Sequence, residues 1–228
     1  MPAHDITLTA ADGFEFPAYV AEPDGTPKGA VVVLQEIFGV NSHIRSVADG
    51  YAAEGYLAIA PATFTRVQKD VNLGYTGPDM QEGMRLKAAV EALPAPGALQ
   101  DVQAAVLYAA KAGKVGIVGY CWGGLLVWRS AALLQGLSAA AVYYGGGATT
   151  EAEIARRPQV PTIAHFGDHD GHISIESVEA LKAAHPEVTV YRYDADHGFN
   201  CDQRGSYNEA AAKLARERTL AFFAEHLG

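Results

Sequence analysis

The chain has 228 residues, of which 49% are hydrophobic and 19% are charged, with 24 glycines and 11 prolines. This composition is typical of a globular protein with a sizeable core and excludes a disordered or low-complexity chain. The formal net charge of −9 and the lack of a basic run argue against partners such as nucleic acid or an anionic membrane surface. The N-terminus does not resemble a signal peptide and no apolar stretch is long enough to span a bilayer, so we expect a cytoplasmic protein.

Two cysteines, Cys121 and Cys201, are too few for a disulfide scaffold, and each is expected to be a free thiol. The chain has no internal repeat and no linker rich in serine, proline or charge. Residues 1–228 are therefore predicted to form one domain, and a monomer is expected.

In chain order, the first pattern is an alternation of apolar and polar residues in 5–10 and 15–21, which predicts an antiparallel hairpin at a sheet edge. Short apolar runs then alternate with longer segments of helical period, which predicts an α/β fold with a mostly parallel central sheet and helices on both faces. The stretch 65–77 has the least pattern and is expected to be a surface excursion that can pass over the site. The predicted strands are 30–34, 56–60, 115–118, 139–144, 162–166 and 188–193. The predicted helices are 43–54, 80–91, 99–112, 123–134, 175–184 and 207–225, with Ser42 and Ser174 as N-caps.

The sharpest local signal is the segment 119–123 (GYCWG), between an apolar run and a helical pattern. It matches the nucleophile elbow G-x-nucleophile-x-G, with Cys121 in the nucleophile position. In so tight a turn a Cβ at either glycine would clash, and the middle residue is held out above the sheet. A dinucleotide-binding fingerprint requires a different glycine spacing and an acidic residue for a ribose, and both are missing. A buried structural cysteine is the alternative interpretation.

An acid and a histidine follow the elbow in the chain order of an α/β-hydrolase triad. Asp168 and Asp170 follow the predicted strand 162–166, and His197 follows the strand 188–193. His197 would take the thiol proton and the aspartate would orient the imidazole. Asp170 is preferred because it lies farther into its loop, but Asp168 stays open as the acid.

The segment 165–172 contains His165, His169 and His172 with two aspartates between them, which is also compatible with a metal site. These residues belong to a strand and a glycine-bounded loop, where helical spacing does not bring side chains together. No second ligand cluster is visible elsewhere in the sequence, so neither a metal nor another cofactor is expected. Tyr144 ends the strand after the elbow and is expected either to line the pocket or to belong to the aromatic core.

With these motifs the sequence resembles the dienelactone hydrolase (carboxymethylenebutenolidase) family over nearly its whole length. The Cys-bearing elbow together with the QEIFG segment at 35–39 carries the resemblance most specifically. The family has the α/β-hydrolase fold, which the resemblance therefore implies for this chain. The other matching segments are 44–45, 54–56, 143–145, 168–170 and 197–199.

The resemblance also implies roles for individual residues. Glu36 would contact the resting thiol and, by like-charge repulsion in a water-poor pocket, keep it protonated until substrate arrives. The alternative is that Glu36 is an exposed residue at a strand end. The implied catalytic residues are Cys121, Asp170, His197 and Glu36, the implied oxyanion-hole amides are those of Ile37 and Trp122, and Phe38 and Tyr144 are candidate substrate-binding residues.

The sequence departs from the family at the substrate carboxylate. Family members that act on dienelactone hold this group with two arginines, and one of the corresponding positions here is Cys201. Only Arg85 and Arg204 are near enough in sequence to substitute, so they are the candidate substrate-binding arginines, while an anionic lactone as substrate lacks the support that the fold and the triad have.

The sequence thus predicts a hydrolase without a cofactor that cleaves a small-molecule lactone or ester through a thioester acyl-enzyme. A general carboxylesterase that acts on uncharged esters is the alternative within the enzyme class. A non-catalytic protein that binds a small molecule or senses oxidants through Cys121 is the alternative outside it.

Overall fold

The fold is built on an eight-stranded mixed sheet, seen in a computed structural model that describes residues 2–228. The strand order is β1-β2-β4-β3-β5-β6-β7-β8. The N-terminal hairpin of β1 and β2 is antiparallel, β2 runs antiparallel to β4, and the pairs from β4 to β8 are parallel, as the sequence predicts. The strands are β1 Ala3–Thr9, β2 Glu15–Ala21, β3 Ala30–Leu34, β4 Leu57–Pro61, β5 Val115–Tyr120, β6 Leu137–Tyr143, β7 Thr162–Gly167 and β8 Thr189–Tyr193.

Within residues 2–228, seven α-helices cover both faces of this sheet, which confirms the predicted α/β-hydrolase architecture. The first and last helices lie together on one face, where Tyr51 packs on Phe223 and Arg216 donates to the Gly50 carbonyl. The third and fourth helices pack against each other and against the sheet. The helices are α1 Ser42–Ala53, α2 Gly77–Glu91, α3 Leu99–Ala109, α4 Trp122–Leu133, α5 Glu151–Ile154, α6 Ile175–Ala184 and α7 Glu209–Leu227, and a 3-10 turn Ala110–Ala112 follows α3.

Capping residues account for differences between predicted and observed helix starts. Asn41, rather than Ser42, caps α1, and its side-chain oxygen accepts the N–H of Ile44. Helix α2 begins three residues before the expected position because Thr76 and Asp79 form a capping box. The remaining side-chain caps are Ser174 of α6, as predicted, and Asn208 of α7.

The central strands bring the loops that follow them to one edge of the sheet. Strands β3 and β5 are buried along their whole length, which is why they read as nearly continuous apolar runs. In register, Leu34 at the end of β3 pairs with Gly119, and Tyr143 at the end of β6 pairs with both Tyr120 and His165. Their carboxyl ends therefore place the following loops side by side, the usual position of a site in an open α/β sheet.

The stretch 65–77 lies on the surface, as predicted. It packs against the loop after β3, where Asn72 forms an isolated antiparallel bridge with Gly39. The Asn41 side chain donates to the Leu73 carbonyl and so ties the same two segments together. None of the helices in residues 2–228 combines the length and apolar character needed to cross a bilayer.

Candidate active site

The turn from β5 to α4 holds Cys121 in a strained backbone conformation, with φ 55° and ψ −117°. A Cβ on Gly119 would lie 2.3 Å from the Gly123 carbonyl oxygen, and a Cβ on Gly123 would lie 2.5 Å from the Leu34 carbonyl oxygen. Both positions therefore require glycine. The Cys121 N–H donates to the Tyr143 carbonyl at 3.0 Å, which fixes the turn against β6. Such a conformation costs about 1–3 kcal/mol and persists only where surrounding contacts impose it.

His197 and Asp170 form a hydrogen-bonded pair beside this turn. Nδ1 of His197 lies 2.7 Å from Oδ2 of Asp170, whose side chain is buried. The other oxygen of Asp170 accepts the backbone N–H groups of His172 and Ile173 at 2.8 and 3.1 Å. Asp168 instead accepts a hydrogen bond from Arg192 at 2.7 Å. The structure therefore brings Asp170, and not Asp168, onto the histidine.

The environment of His197 favours its charged form. Burial opposes a charge on the imidazole, but the hydrogen bonds with Asp170 and with Cys121, together with the negative charge of the Cys121 sulfur as a thiolate, outweigh burial and raise the pKa of His197 to about 10. This raised pKa therefore belongs to an imidazolium that faces a thiolate, since a neutral thiol contributes no such charge. The rings of Tyr144 and His172 each stand edge-on to it, at centroid distances of 5.2 and 5.1 Å. The imidazole is thus held between a carboxylate and a thiol, with aromatic walls that limit its rotation.

Glu36 is completely buried, so the alternative of an exposed residue at a strand end is wrong. Its two carboxylate oxygens accept hydrogen bonds from Arg204 Nη1 and from the Tyr75 hydroxyl, both at 3.0 Å. Burial and the neighbouring carboxylate raise the pKa of Tyr75, which therefore stays a hydrogen-bond donor. The ion pair with Arg204 compensates the charge that Glu36 brings into the interior.

Of the amides implied by the family resemblance, that of Trp122 lies at the start of α4 and that of Ile37 lies in the loop after β3. Trp122 is the first residue of α4, whose leading N–H groups have no partner within the helix, and Ile37 follows Glu36. Among residues 2–228, neither amide donates to a backbone carbonyl. The indole of Trp122 stacks on Phe64 at 5.0 Å and donates to Glu91, which anchors the helix start.

A cavity of about 220 Å³ opens beside Cys121 and His197. Of the residues predicted for substrate binding, Phe38 and Arg204 line it, and the predicted oxyanion-hole residue Ile37 does so too. Its remaining lining residues are Met80, Met84, Lys87, Gly146, Gly147 and His172.

The structure corrects the expectation for Arg85. Its side chain is 57% exposed, pairs with Glu82 at 2.6 Å and donates to Gln68, outside the cavity. Lys87, two residues later on α2, lines the cavity and forms no ion pair with any residue in 2–228. Met80, Met84 and Lys87 are spaced four and three residues apart, which places them on one face of α2. This spacing is the sequence pattern that would have identified Lys87 as a cavity residue.

The structure also corrects the expectation that Tyr144 binds substrate. Its side chain is fully buried behind His197 and does not line the cavity, so Tyr144 belongs to the aromatic core rather than to the pocket lining.

The three histidines of 165–172 lie apart from one another in the structure. His165 bonds Tyr193 and Thr219 in the core, His169 bonds Asp194 at the surface, and His172 lines the cavity.

The sequence profile of the dienelactone hydrolase family matches residues 16–227. The chain belongs to the dienelactone hydrolase family. It is 33% identical to the carboxymethylenebutenolidase of Pseudomonas putida, over 98% of this chain and 97% of that protein. It is 37% identical to a provisionally named carboxymethylenebutenolidase of Synechocystis, over 92% and 91% of the two chains.

Comparison with solved structures finds a member of the same family. A crystal structure from Klebsiella pneumoniae, provisionally named a dienelactone hydrolase, has a TM-score of 0.82 and 32% identity, and the match covers 99% of this chain and 100% of that one. Together with the family match, this makes the protein a hydrolase that acts on carboxylic ester bonds.

The raised pKa of His197 predicts a pH-dependent effect of Asp170→Asn on stability. Protonation of His197 contributes stability that is fully present below its unfolded pKa of about 6.5 and is lost as pH rises through the folded value. We therefore expect Asp170→Asn to lower the free energy of unfolding by at least about 2 kcal/mol more at about pH 6 than at about pH 10.5, measured by urea denaturation.

Asp168→Asn is the matched control for this measurement. Asp168 pairs with Arg192 at the surface, so its loss is expected to cost less than about 1 kcal/mol at both pH values. An equal loss at the two pH values in Asp170→Asn would contradict the coupling of Asp170 to His197.

Proposed function

We propose that the protein hydrolyses a small lactone or ester through a thioester formed on Cys121. The observation that carries the proposal is that Cys121 and His197 line one cavity and that Asp170 bonds the histidine from behind. The strained turn presents the cysteine, and Asp170 bonds Nδ1 of His197, which leaves Nε2 for the thiol. The family match supports the same chemistry.

In the proposed reaction, His197 takes the proton from the Cys121 thiol, and the sulfur attacks the substrate carbonyl carbon. The carbonyl electron pair moves to oxygen, and the amides of Ile37 and Trp122 stabilise the resulting oxyanion. When the carbonyl re-forms, the C–O bond breaks and His197 gives its proton to the leaving alkoxide. Water then attacks the thioester, His197 takes the proton of this water, and the acid departs as the thiol is restored.

Glu36 is proposed to control the resting state of Cys121. Burial opposes the charge on Arg204, but Glu36 and Cys121 raise the pKa of the guanidinium, so Arg204 interacts with both groups. A carboxylate in this buried cluster disfavours a second negative charge on sulfur. A substrate can draw Arg204 toward the cavity or exclude water from the cavity. Either change makes the negative charge on the Cys121 sulfur less unfavourable and allows His197 to complete the proton transfer.

The lining of the cavity supports a small substrate that carries a carboxylate. Phe38, Met80 and Met84 provide apolar walls, and a volume of about 220 Å³ accommodates only a small molecule. Arg204 is already paired with Glu36, whereas the ammonium of Lys87 has no anionic partner in residues 2–228. Lys87 is therefore the proposed anchor of the carboxylate.

Activity assays on Cys121→Ala test the proposed nucleophile. The substitution is small and keeps both glycines, so the fold should persist, while kcat for an activated aryl ester should fall by at least about 10³-fold. Circular dichroism verifies the fold, and Asp168→Asn serves as a variant that should retain activity. Activity above about a tenth of the parent in folded Cys121→Ala would contradict the role of Cys121 and favour another site.

Substrate charge distinguishes the proposed activity from a general carboxylesterase. Lys87→Met keeps the apolar stem and removes the charge, so KM for a carboxylate-bearing ester should rise about 10- to 100-fold, with little change for a neutral ester of the same size. Arg85→Met is the matched control and should change neither value, because Arg85 lies outside the cavity. Equal KM changes for both substrates in Lys87→Met would favour the general carboxylesterase.

A further inference from the structure

Three buried side chains from distant parts of the chain meet beside the active site. Glu36 follows β3, His43 lies on α1, and Cys201 lies in the segment between β8 and α7. Their exposed fractions are 0%, 3% and 0%. One potential ligand atom from each lies within 4.8 Å of the other two. The cluster thus combines a carboxylate oxygen, an imidazole nitrogen and a thiol sulfur in the protein interior.

The imidazole of His43 has a buried nitrogen without a partner. Nδ1 lies 3.4 Å from the Asp202 carboxylate, while Nε2 forms no hydrogen bond with any residue in 2–228. When Nδ1–H faces a carboxylate, the neutral ring carries its free lone pair on Nε2. A buried nitrogen acceptor such as Nε2 is costly when no donor faces it. In metal sites, a carboxylate commonly accepts the hydrogen bond from the other ring nitrogen and thereby orients the histidine ligand.

We propose that Glu36, His43 and Cys201 bind a thiophilic divalent cation, for which Zn²⁺ has the best matching chemistry. Zn²⁺ prefers nitrogen, sulfur and carboxylate ligands in tetrahedral sites, and three protein ligands leave a fourth position for water. Bonds of about 2.0–2.3 Å require ligand atoms about 3.5 Å apart. The three side chains therefore need to approach one another by about 1 Å to enclose the ion.

The charges around the cluster are compatible with a divalent ion. On binding, the Zn–S bond forms, the S–H bond of Cys201 breaks, and its proton passes to solvent. The charges of Zn²⁺ and Arg204 then balance those of the Cys201 thiolate, Glu36 and Asp202. Both oxygens of Glu36 already accept hydrogen bonds, but each carboxylate oxygen has a second lone pair, so the metal does not have to displace Arg204 or Tyr75.

A second cavity reaches one member of the cluster, His43. It has a volume of about 390 Å³, lies between α1 and α7 and is lined by His43 and Asp202, with the exposed side chain of Lys213 at its edge. This cavity is separate from the one beside Cys121, with which it shares no lining residue. The inference shares Glu36 with the proposed function but concerns a different thiol, and its test in a Cys121→Ala background does not require the enzyme to turn over.

The experiment uses the full chain carrying Cys121→Ala, so that Cys201 is the remaining thiol and the Cys121–His197 pair cannot bind the metal. After treatment with a chelator, the protein is titrated with Co²⁺ and then with Zn²⁺. We expect one equivalent of Co²⁺ to produce a thiolate-to-cobalt charge-transfer band in the near ultraviolet, and one equivalent of Zn²⁺ to remove it.

Variants in the same background identify the ligands. Cys201→Ser should abolish the band, and His43→Gln should weaken Zn²⁺ binding by more than about 100-fold, since even outer partners of a metal contribute about 10- to 100-fold. Asp202→Asn should weaken it by about 10- to 100-fold through the orientation of His43. His169→Gln is the matched control, because His169 is exposed and bonds only Asp194, and it should bind Zn²⁺ like its parent.

Two results would overturn the proposal. One is the absence of a charge-transfer band in Cys121→Ala. The other is Zn²⁺ affinity in Asp202→Asn equal to that of the His169→Gln control. Asp202 is exposed, so its variant tests the site even if substitution of the buried His43 or Cys201 prevents folding, which circular dichroism would reveal.

Discussion

The strained backbone of Cys121 is the constraint on which the rest of the site depends. Cys121 joins β5 to α4 with a positive φ. Gly119, Gly123 and the end of β3 approach so closely that the backbone has no room for a different conformation. This geometry points the side chain away from the sheet and leaves the first amides of α4 free. The loops after β7 and β8 then need only bring Asp170 and His197 to a fixed sulfur position.

The second requirement is compensation of buried charge. Asp170 with His197, and Glu36 with Arg204, place two ion pairs within a small, largely apolar region. An unpaired charge there would cost several kcal/mol, so removal of one partner affects the other. The pairing also explains why Arg204, although it lines the cavity, is a poor candidate for the main substrate anchor, whereas Lys87 is free of an anionic partner within residues 2–228.

Much of this site could be predicted from local sequence. The tight turn at Cys121, the loops that carry Asp170 and His197, and the parallel sheet all leave short-range patterns, and the structure has each of these elements. The error at Arg85 arose because this residue was chosen for its charge and its nearness in sequence to the family's position, whereas a displacement of two residues on α2, from Arg85 to Lys87, changes the face of the helix. The hydrogen bond of Tyr75 with Glu36 and the approach of the His43 and Cys201 ligand atoms to within 4.8 Å depend on long-range packing, for which the chain has no local signal. The assignment to one domain and one subunit stays a prediction.

The most direct test of the account is to identify the residue that carries the acyl group during turnover. The protein is mixed with an activated ester, quenched with acid within one turnover, digested and analysed by mass spectrometry. The account predicts an acyl adduct on the peptide that contains Cys121, labile to hydroxylamine as a thioester is, and no adduct on the buried Cys201. An adduct on another residue, or turnover without any adduct on Cys121 under conditions where acyl-enzyme hydrolysis is rate-limiting, would contradict it.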